Sequence, residues 1–342
     1  MEADTDRAAR GREAEGDAMR FAIMGTGSVG GFFGGCLARG GADVTFIARG
    51  DNLRALREQG LHVHSAAMGD FHLPTVLATD DPGAVGPVDV VLMCSKGYDL
   101  ETGARQMQPL VGRETVVIPV LNGVDIAERV GAVVGMEHLM GGLVRVSAKL
   151  ERPGVVRHIS WGVLLFGELE GGISPRGERI LAALRAAETQ AELLPDIRRE
   201  LWSKFVQNAT GAVCTVMRRS PYDVVRDPET RALAIACLRE TEAVARALGV
   251  PLEADICETV MTRADAIPPE MKPSMLLDLE RGRRLELENV TGVVVRLGQD
   301  LGVATPVNRF VYAALKLHAN GTDTPAVSQA PSTDGGPGDG SG

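Results

Sequence analysis

No basic stripe runs along this chain, and its balance is acidic, with a formal charge of −9. A nucleic-acid partner is therefore not expected. Long apolar runs are missing as well, and no secretory h-region is present, which argues against export and membrane insertion. The five cysteines (Cys36, Cys94, Cys214, Cys237 and Cys257) are scattered, without C-x-x-C spacing. They read as reduced core residues of a cytoplasmic protein. Metal-binding spacing is absent too. His62, His64 and His72 share one segment, but no acidic or cysteine ligand stands at useful distance, so they read as solvent-facing strand residues. His158 likewise reads as a strand surface residue. There is no internal repeat.

What is present is concentrated first in residues 21–49. Phe21-Ala22-Ile23-Met24 fits a buried strand and runs into Gly25-Thr26-Gly27-Ser28-Val29-Gly30, a G-x-G-x-x-G. A small-residue helix follows, then Gly40-Gly41 and a second strand, Asp43 to Ala48. Strand, glycine turn, helix and strand together point to a dinucleotide site. Gly25 makes the tight turn, Gly27 lets backbone approach a pyrophosphate, and Gly30 allows close packing of helix on sheet. The phosphates would sit on free N–H groups at the helix N-terminus. The second strand ends in Arg49 rather than an acidic residue. A guanidinium there suits a 2′-phosphate, so NADP is expected over NAD. The alternative is a solvated Arg49, with Asp51 holding the ribose.

Further along, Val88 to Cys94 and Thr115 to Val120 read as buried strands. Each ends in a polar cluster, Ser95-Lys96-Gly97-Tyr98-Asp99 and Leu121-Asn122-Gly123. Ligands of open α/β sheets bind just past carboxyl ends of strands, which makes Lys96 and Asn122 candidate contacts. Residues 139–168 alternate like antiparallel strands and suggest an antiparallel extension of the parallel sheet. From Ile197 the pattern is helical throughout. Lys204 and Asn208 are four apart and project from one helix side. Helices are also expected over 254–266, over 283–301 with Glu286 and Asn289, and from Thr305-Pro306 onward. On pattern alone Lys204 and Glu286 sit in ordinary charged helix faces, and Ser274 reads as a cap. Residues 1–18 and 320–342 are polar and low in apolar periodicity, so disordered ends are expected, with Met19 as a candidate translation start.

Taken together, these clusters resemble the ketopantoate reductase (2-dehydropantoate 2-reductase) family over residues 19–318. The pieces that carry the resemblance are GTGSVG, Arg49, CSKGYD around Lys96, LNGV around Asn122, WSKFVQN around Lys204 and Asn208, SMLLDLERGRRLE from Ser274 to Glu286, and TPVNRFVYAALK from Thr305. The resemblance implies an α/β protein. A Rossmann-type cofactor domain with an antiparallel extension would span 19–195, and an all-helical domain 196–319. It implies NADPH-dependent reduction of ketopantoate to pantoate on the pantothenate route. Arg49, Lys96, Asn122, Glu286 and the turn residues Gly25, Thr26, Gly27, Ser28, Val29 and Gly30 would hold the cofactor. Lys204 would be the general acid, with Asn122, Asn208, Ser274 and Glu286 positioning a 2-keto acid. A homodimer is the assembly to test for. Two positions depart from the family pattern. Ala212 stands where a second Asn is frequent, and Leu285 where Thr is. They leave open another 2-keto acid or ketone as substrate, and a sensor without turnover remains the reading of a different class.

Overall fold

The computed structural model describes residues 19–322. The expectations for residues 1–18 and 323–342 lie outside it. The first sheet is fully parallel, with strands β1 (Arg20–Met24), β2 (Asp43–Ile47), β5 (Leu77–Thr79), β6 (Val90–Met93) and β7 (Val116–Pro119) in the order β5-β2-β1-β6-β7. Its strands are apolar on both sides because both faces are covered. Phe21, Ile23, Val90 and Leu92 enter one core, while Ala22, Met24, Val91 and Met93 enter the other. The order reverses between β1 and β6, which opens a crevice at their carboxyl ends.

Residues 139–168 do not simply extend that sheet. They form a second sheet, in which β8 (Gly141–Arg152) and β9 (Val155–Gly167) make a long antiparallel hairpin. Strand β9 also pairs in parallel with β3 (Leu61–Ser65) and β10 (Ala191–Leu193), and β4 (Phe71–Leu73) closes the edge on β3. One bridge, Val117 to Leu139, links the sheets. The extension was expected from local alternation, but β3 and β9 are far apart in sequence, and their pairing leaves no local signal.

Helix α1 (Ser28–Arg39) lies between the two sheets, and its glycines explain how. A Cβ on Gly30 would stand 2.2 Å from the Gly25 carbonyl oxygen, and one on Gly34 2.5 Å from Phe46. On the other side, a Cβ on Gly31 would meet Val156 at 2.7 Å and one on Gly35 would meet Leu61 at 3.0 Å. The GG-x-x-GG spacing thus strips side chains from two helix faces at once. Helix α2 (Gly50–Gln59) follows β2, and α3 (Leu100–Gln106) and α4 (Ile126–Val134) cover the far side of the first sheet. Helix α5 (Pro175–Ala186) leads to β10.

The remaining elements are helical. Asp196 caps α6 (Ile197–Met217) by accepting from the Arg199 N–H at 2.9 Å. Around α6 pack α7 (Pro221–Arg226), α8 (Pro228–Ala247), α9 (Ile256–Asp265), α10 (Ser274–Glu280), α11 (Val293–Leu301) and α12 (Pro306–Lys316). The expected helix over 283–301 is shorter than its pattern. Arg283 to Glu286 is irregular, and a π-helical turn at Glu288–Gly292 precedes α11. Glu286 is therefore a loop residue, free to reach back toward the first sheet.

Candidate active site

A cleft of about 930 Å³ opens where the glycine turn, the β8–β9 hairpin, α6 and the α9–α10 connection meet. Gly27, Ser28 and Val29 line it from one side, together with Lys96 and Asn122. Lys204, Asn208, Ser274 and Glu286 line it from the helical side. Gly27 and Glu286, 259 positions apart in sequence, thus share one site.

The turn is shaped by its backbone. Gly25 has φ +99°, and a Cβ there would lie 2.9 Å from the Ser95 nitrogen. Gly27 differs, since a Cβ on it would meet nothing within 4 Å. It precedes α1, whose N-terminus carries no side-chain cap. Open space over a glycine, beside uncapped N–H groups at a helix start, fits a phosphate group. Thr26 is buried. Its hydroxyl donates to the Ile47 carbonyl at 3.1 Å, and its own carbonyl accepts from Asn52 Nδ2 at 2.5 Å. It therefore fixes the turn from behind rather than facing the cleft.

Lys204 is half-buried on α6. Its Nζ donates to the Val144 carbonyl at 3.1 Å. Burial pushes its pKa down to about 8, and nearby Arg145 adds to this while Glu286 opposes it. Arg145 is itself paired with Glu200 at 2.8 Å. Lys96 behaves in the opposite way. Burial alone would lower it, but Glu286 and Asp278, at 3.3 and 3.5 Å, outweigh that and raise its pKa. Glu286 Oε1 also accepts from the Gly97 N–H at 2.9 Å, so this carboxylate ties the end of β6 to the helical side. The two lysines thus divide their work. Lys96 is a fixed charge, and Lys204 can gain or lose its proton near neutrality.

Arg49 lies outside the residues that line the cleft. It stands at the N-cap of α2 with its side chain largely exposed, donating to Asp99 Oδ2 at 2.7 Å. Ala212 and Leu285 are also placed elsewhere. Both are buried in the helical core, so neither faces the cleft. His158, expected at the surface, is 3% exposed. Its Nδ1 meets the Ser65 hydroxyl at 2.8 Å, and its ring stacks on Phe32.

Several site residues escaped the sequence reading. Arg145, Gln207 and Arg263 line the cleft, and Asp278 anchors Lys96. Asn289, in the π-helical turn, accepts from Arg129 at 2.9 Å through Oδ1 and leaves its buried Nδ2 without a partner. A Cβ on Gly97 would fall on that Nδ2. A π-helical turn often marks a functional site, but single sequences carry no periodicity signal for it. Among the described residues no cluster of three or more His, Cys, Asp or Glu could hold a metal, and no helix is long and apolar enough to cross a membrane.

Comparison with known proteins agrees with this geometry. The family model for "Ketopantoate reductase PanE/ApbA" matches residues 21–171, and its C-terminal counterpart matches residues 196–319. The chain is 30% identical over 302 residues to the "Uncharacterized oxidoreductase YkpB" of Bacillus subtilis, covering 88% of this chain and 99% of that protein. It is 28% identical to a 2-dehydropantoate 2-reductase of Nostoc, covering 87% and 94%. Among solved structures, a PanE/ApbA family ketopantoate reductase from Ralstonia eutropha superposes with a TM-score of 0.81 at 31% identity, covering 88% of this chain and 98% of the other. The chain belongs to the ketopantoate reductase family of oxidoreductases.

Proposed function

We propose that this protein is an NADPH-dependent 2-keto acid reductase that converts 2-dehydropantoate to pantoate, the reaction that feeds pantothenate synthesis. The observation that carries the reading is Lys204, a lysine with its pKa near 8 in the same cleft as the glycine turn. In this reading residues 19–195 bind the cofactor and 196–319 supply the acid and most substrate contacts. Gly25 to Gly30 cradle the pyrophosphate. Lys96, held by Glu286 and Asp278, gives the fixed positive charge beside it. Arg49, the exposed member of its pair with Asp99, receives the 2′-phosphate by giving up that half-buried partner.

Bound NADPH supplies a hydride to one face of the keto carbonyl. Lys204 donates a proton to the carbonyl oxygen as negative charge develops there, and its charge stabilises that oxygen. Asn122, Asn208 and Ser274 line the same cleft and hold the carboxylate and hydroxyl groups of the substrate. Glu286 keeps Lys96 in place and offsets part of the repulsion that Lys204 feels from Arg145. A cytoplasmic homodimer fits this role; a Staphylococcus aureus ketopantoate reductase of the same fold is described as dimeric.

The test is oxidation of NADPH with 2-dehydropantoate, beside a panel of other 2-keto acids and with NADH as control. Turnover with 2-dehydropantoate and NADPH, lost in Lys204→Ala, is the expected result. Turnover only with another 2-keto acid would move the substrate but keep the mechanism. Turnover undiminished in Lys204→Ala would refute the assignment of the acid.

A further inference from the structure

The cleft has an apolar wall that the proton-transfer chemistry does not use. Trp161 is its outstanding member, 67% exposed and lining the cleft with Val144, Val146 and Val163. Pro268 and Met271 belong to the same lining from the helical side. Solvent-exposed indoles are uncommon without a use, because a large apolar face is left in water. This one is also held deliberately. Val146 pairs with Trp161 and Arg145 with Val163, so Gly162 is the extra residue of a β-bulge. Trp161 has φ +58° and Gly162 φ +139°, and for a bulky residue a left-handed backbone persists only where its surroundings impose it.

His158 is what imposes it. Its Nε2 donates to the Trp161 carbonyl, while Nδ1 meets the Ser65 hydroxyl at 2.8 Å. The carbonyl can only accept, so the proton is on Nε2, and Nδ1 accepts from Ser65. The ring stacks on Phe32 of α1 at 4.3 Å between centroids. A buried histidine with both nitrogens engaged thus fixes the bulge to the helix that begins at the glycine turn. This arrangement re-aims one indole into the cleft and holds it there.

We infer that Trp161 is the specificity-determining residue of the active site, packing its indole against the bulky apolar substituent next to the keto group. In the proposed reading, on which this inference rests, that substituent is the gem-dimethyl carbon of 2-dehydropantoate. An aryl substituent meets the same wall. His158 is a positioning residue that acts through the Trp161 carbonyl.

The test compares Trp161→Ala and Trp161→Phe with the parent protein on pyruvate, 2-dehydropantoate and phenylpyruvate, using NADPH. In Trp161→Ala, KM for the two bulky substrates is expected to rise roughly 10- to 100-fold, with pyruvate and the cofactor KM little changed. Trp161→Phe is expected to recover most of the loss. Trp202 is buried and Trp161 exposed, and these are the two tryptophans of the chain. Intrinsic fluorescence should therefore shift on adding pantoate to the NADP-loaded parent, and not in Trp161→Phe. An equal effect on all three substrates, or a rise in the cofactor KM instead, overturns the inference while leaving the reductase reading standing. No turnover of any 2-keto acid, with no fluorescence shift, overturns both.

Discussion

The protonation of Lys204 sets how the rate should depend on pH. Burial, with Arg145 nearby, lowers its pKa from 10.5 to about 8. That shift makes the charged form roughly 3 kcal/mol harder to maintain than in water. The acid must carry its proton to reduce a ketone, so kcat/KM for reduction should be flat below pH 8 and fall tenfold per unit above it. Oxidation of the 2-hydroxy acid needs the neutral amine and should show the mirror image, rising through the same pH. Lys204→Arg keeps a cation that stays protonated throughout this range and removes the titration. Its reduction rate should be lower by about 10²–10⁴ and independent of pH in this range. The assay is initial rates in both directions from pH 6 to about 10, with cofactor saturating. A limb near pH 8 that survives in Lys204→Arg would refute the assignment. The same shift bears on stability. Because the folded pKa lies below the unfolded one, the unfolded chain binds more protons between pH 8 and 10.5. Stability therefore climbs with pH through that window, and at neutral pH the buried charge opposes folding. Lys204→Met should be inactive and at least as heat-stable as the parent at pH 7, measured by thermal melting.

Gly30→Ala and Gly27→Ala should part company. The first places a Cβ 2.2 Å from backbone and should cost several kcal/mol of stability (~1–3 for overpacking alone), read by denaturant unfolding. The second meets no neighbour and should leave the melt unchanged while weakening NADPH binding, read by cofactor titration. Glu286→Gln removes the charge that pairs with Lys96 and should lower kcat/KM by about 10-fold or more, with its Gly97 contact retained. Glu286→Ala loses both and should be worse; undiminished activity of Glu286→Gln would count against the ion pair, and equal activity of the two variants against the Gly97 contact. Arg49→Ala should raise KM for NADPH much more than for NADH, and equal changes would exclude a 2′-phosphate contact.

The legible part of this molecule was local. GTGSVG between two apolar runs specifies strand, turn and helix within a dozen residues, and the four-residue spacing of Lys204 and Asn208 puts both on one side of α6. What sequence could not carry was pairing across long separations. Asp278 and Glu286 converge on Lys96 from more than 180 positions away. His158 alternates like a surface residue, yet β3 and α1 enclose it. Ala212 follows Asn208 by one helical step, so a shared cleft face was expected. Four residues carry an α-helix about 40° past a full turn, and that rotation takes Ala212 into the helical core instead. Glu286 looked helical because Arg283 to Glu288 are good helix formers, yet it lies in an irregular stretch where its carboxylate meets Lys96 and the Gly97 N–H.

The double-faced glycine helix has a mechanical consequence. Helix α1 is wedged between both sheets, and through Phe32 and His158 it grips the bulge that carries Trp161. The cofactor cradle and the hairpin wall therefore travel as one block. Lys204 belongs to the other block, which meets the hairpin through its hydrogen bond to the Val144 carbonyl, the Arg145–Glu200 pair and the packing of Ile197 on Leu143 and Leu165. Any displacement of the helical block would carry Lys204 away from the cradle together with Asn208, Ser274 and Glu286, which line the cleft from the same side.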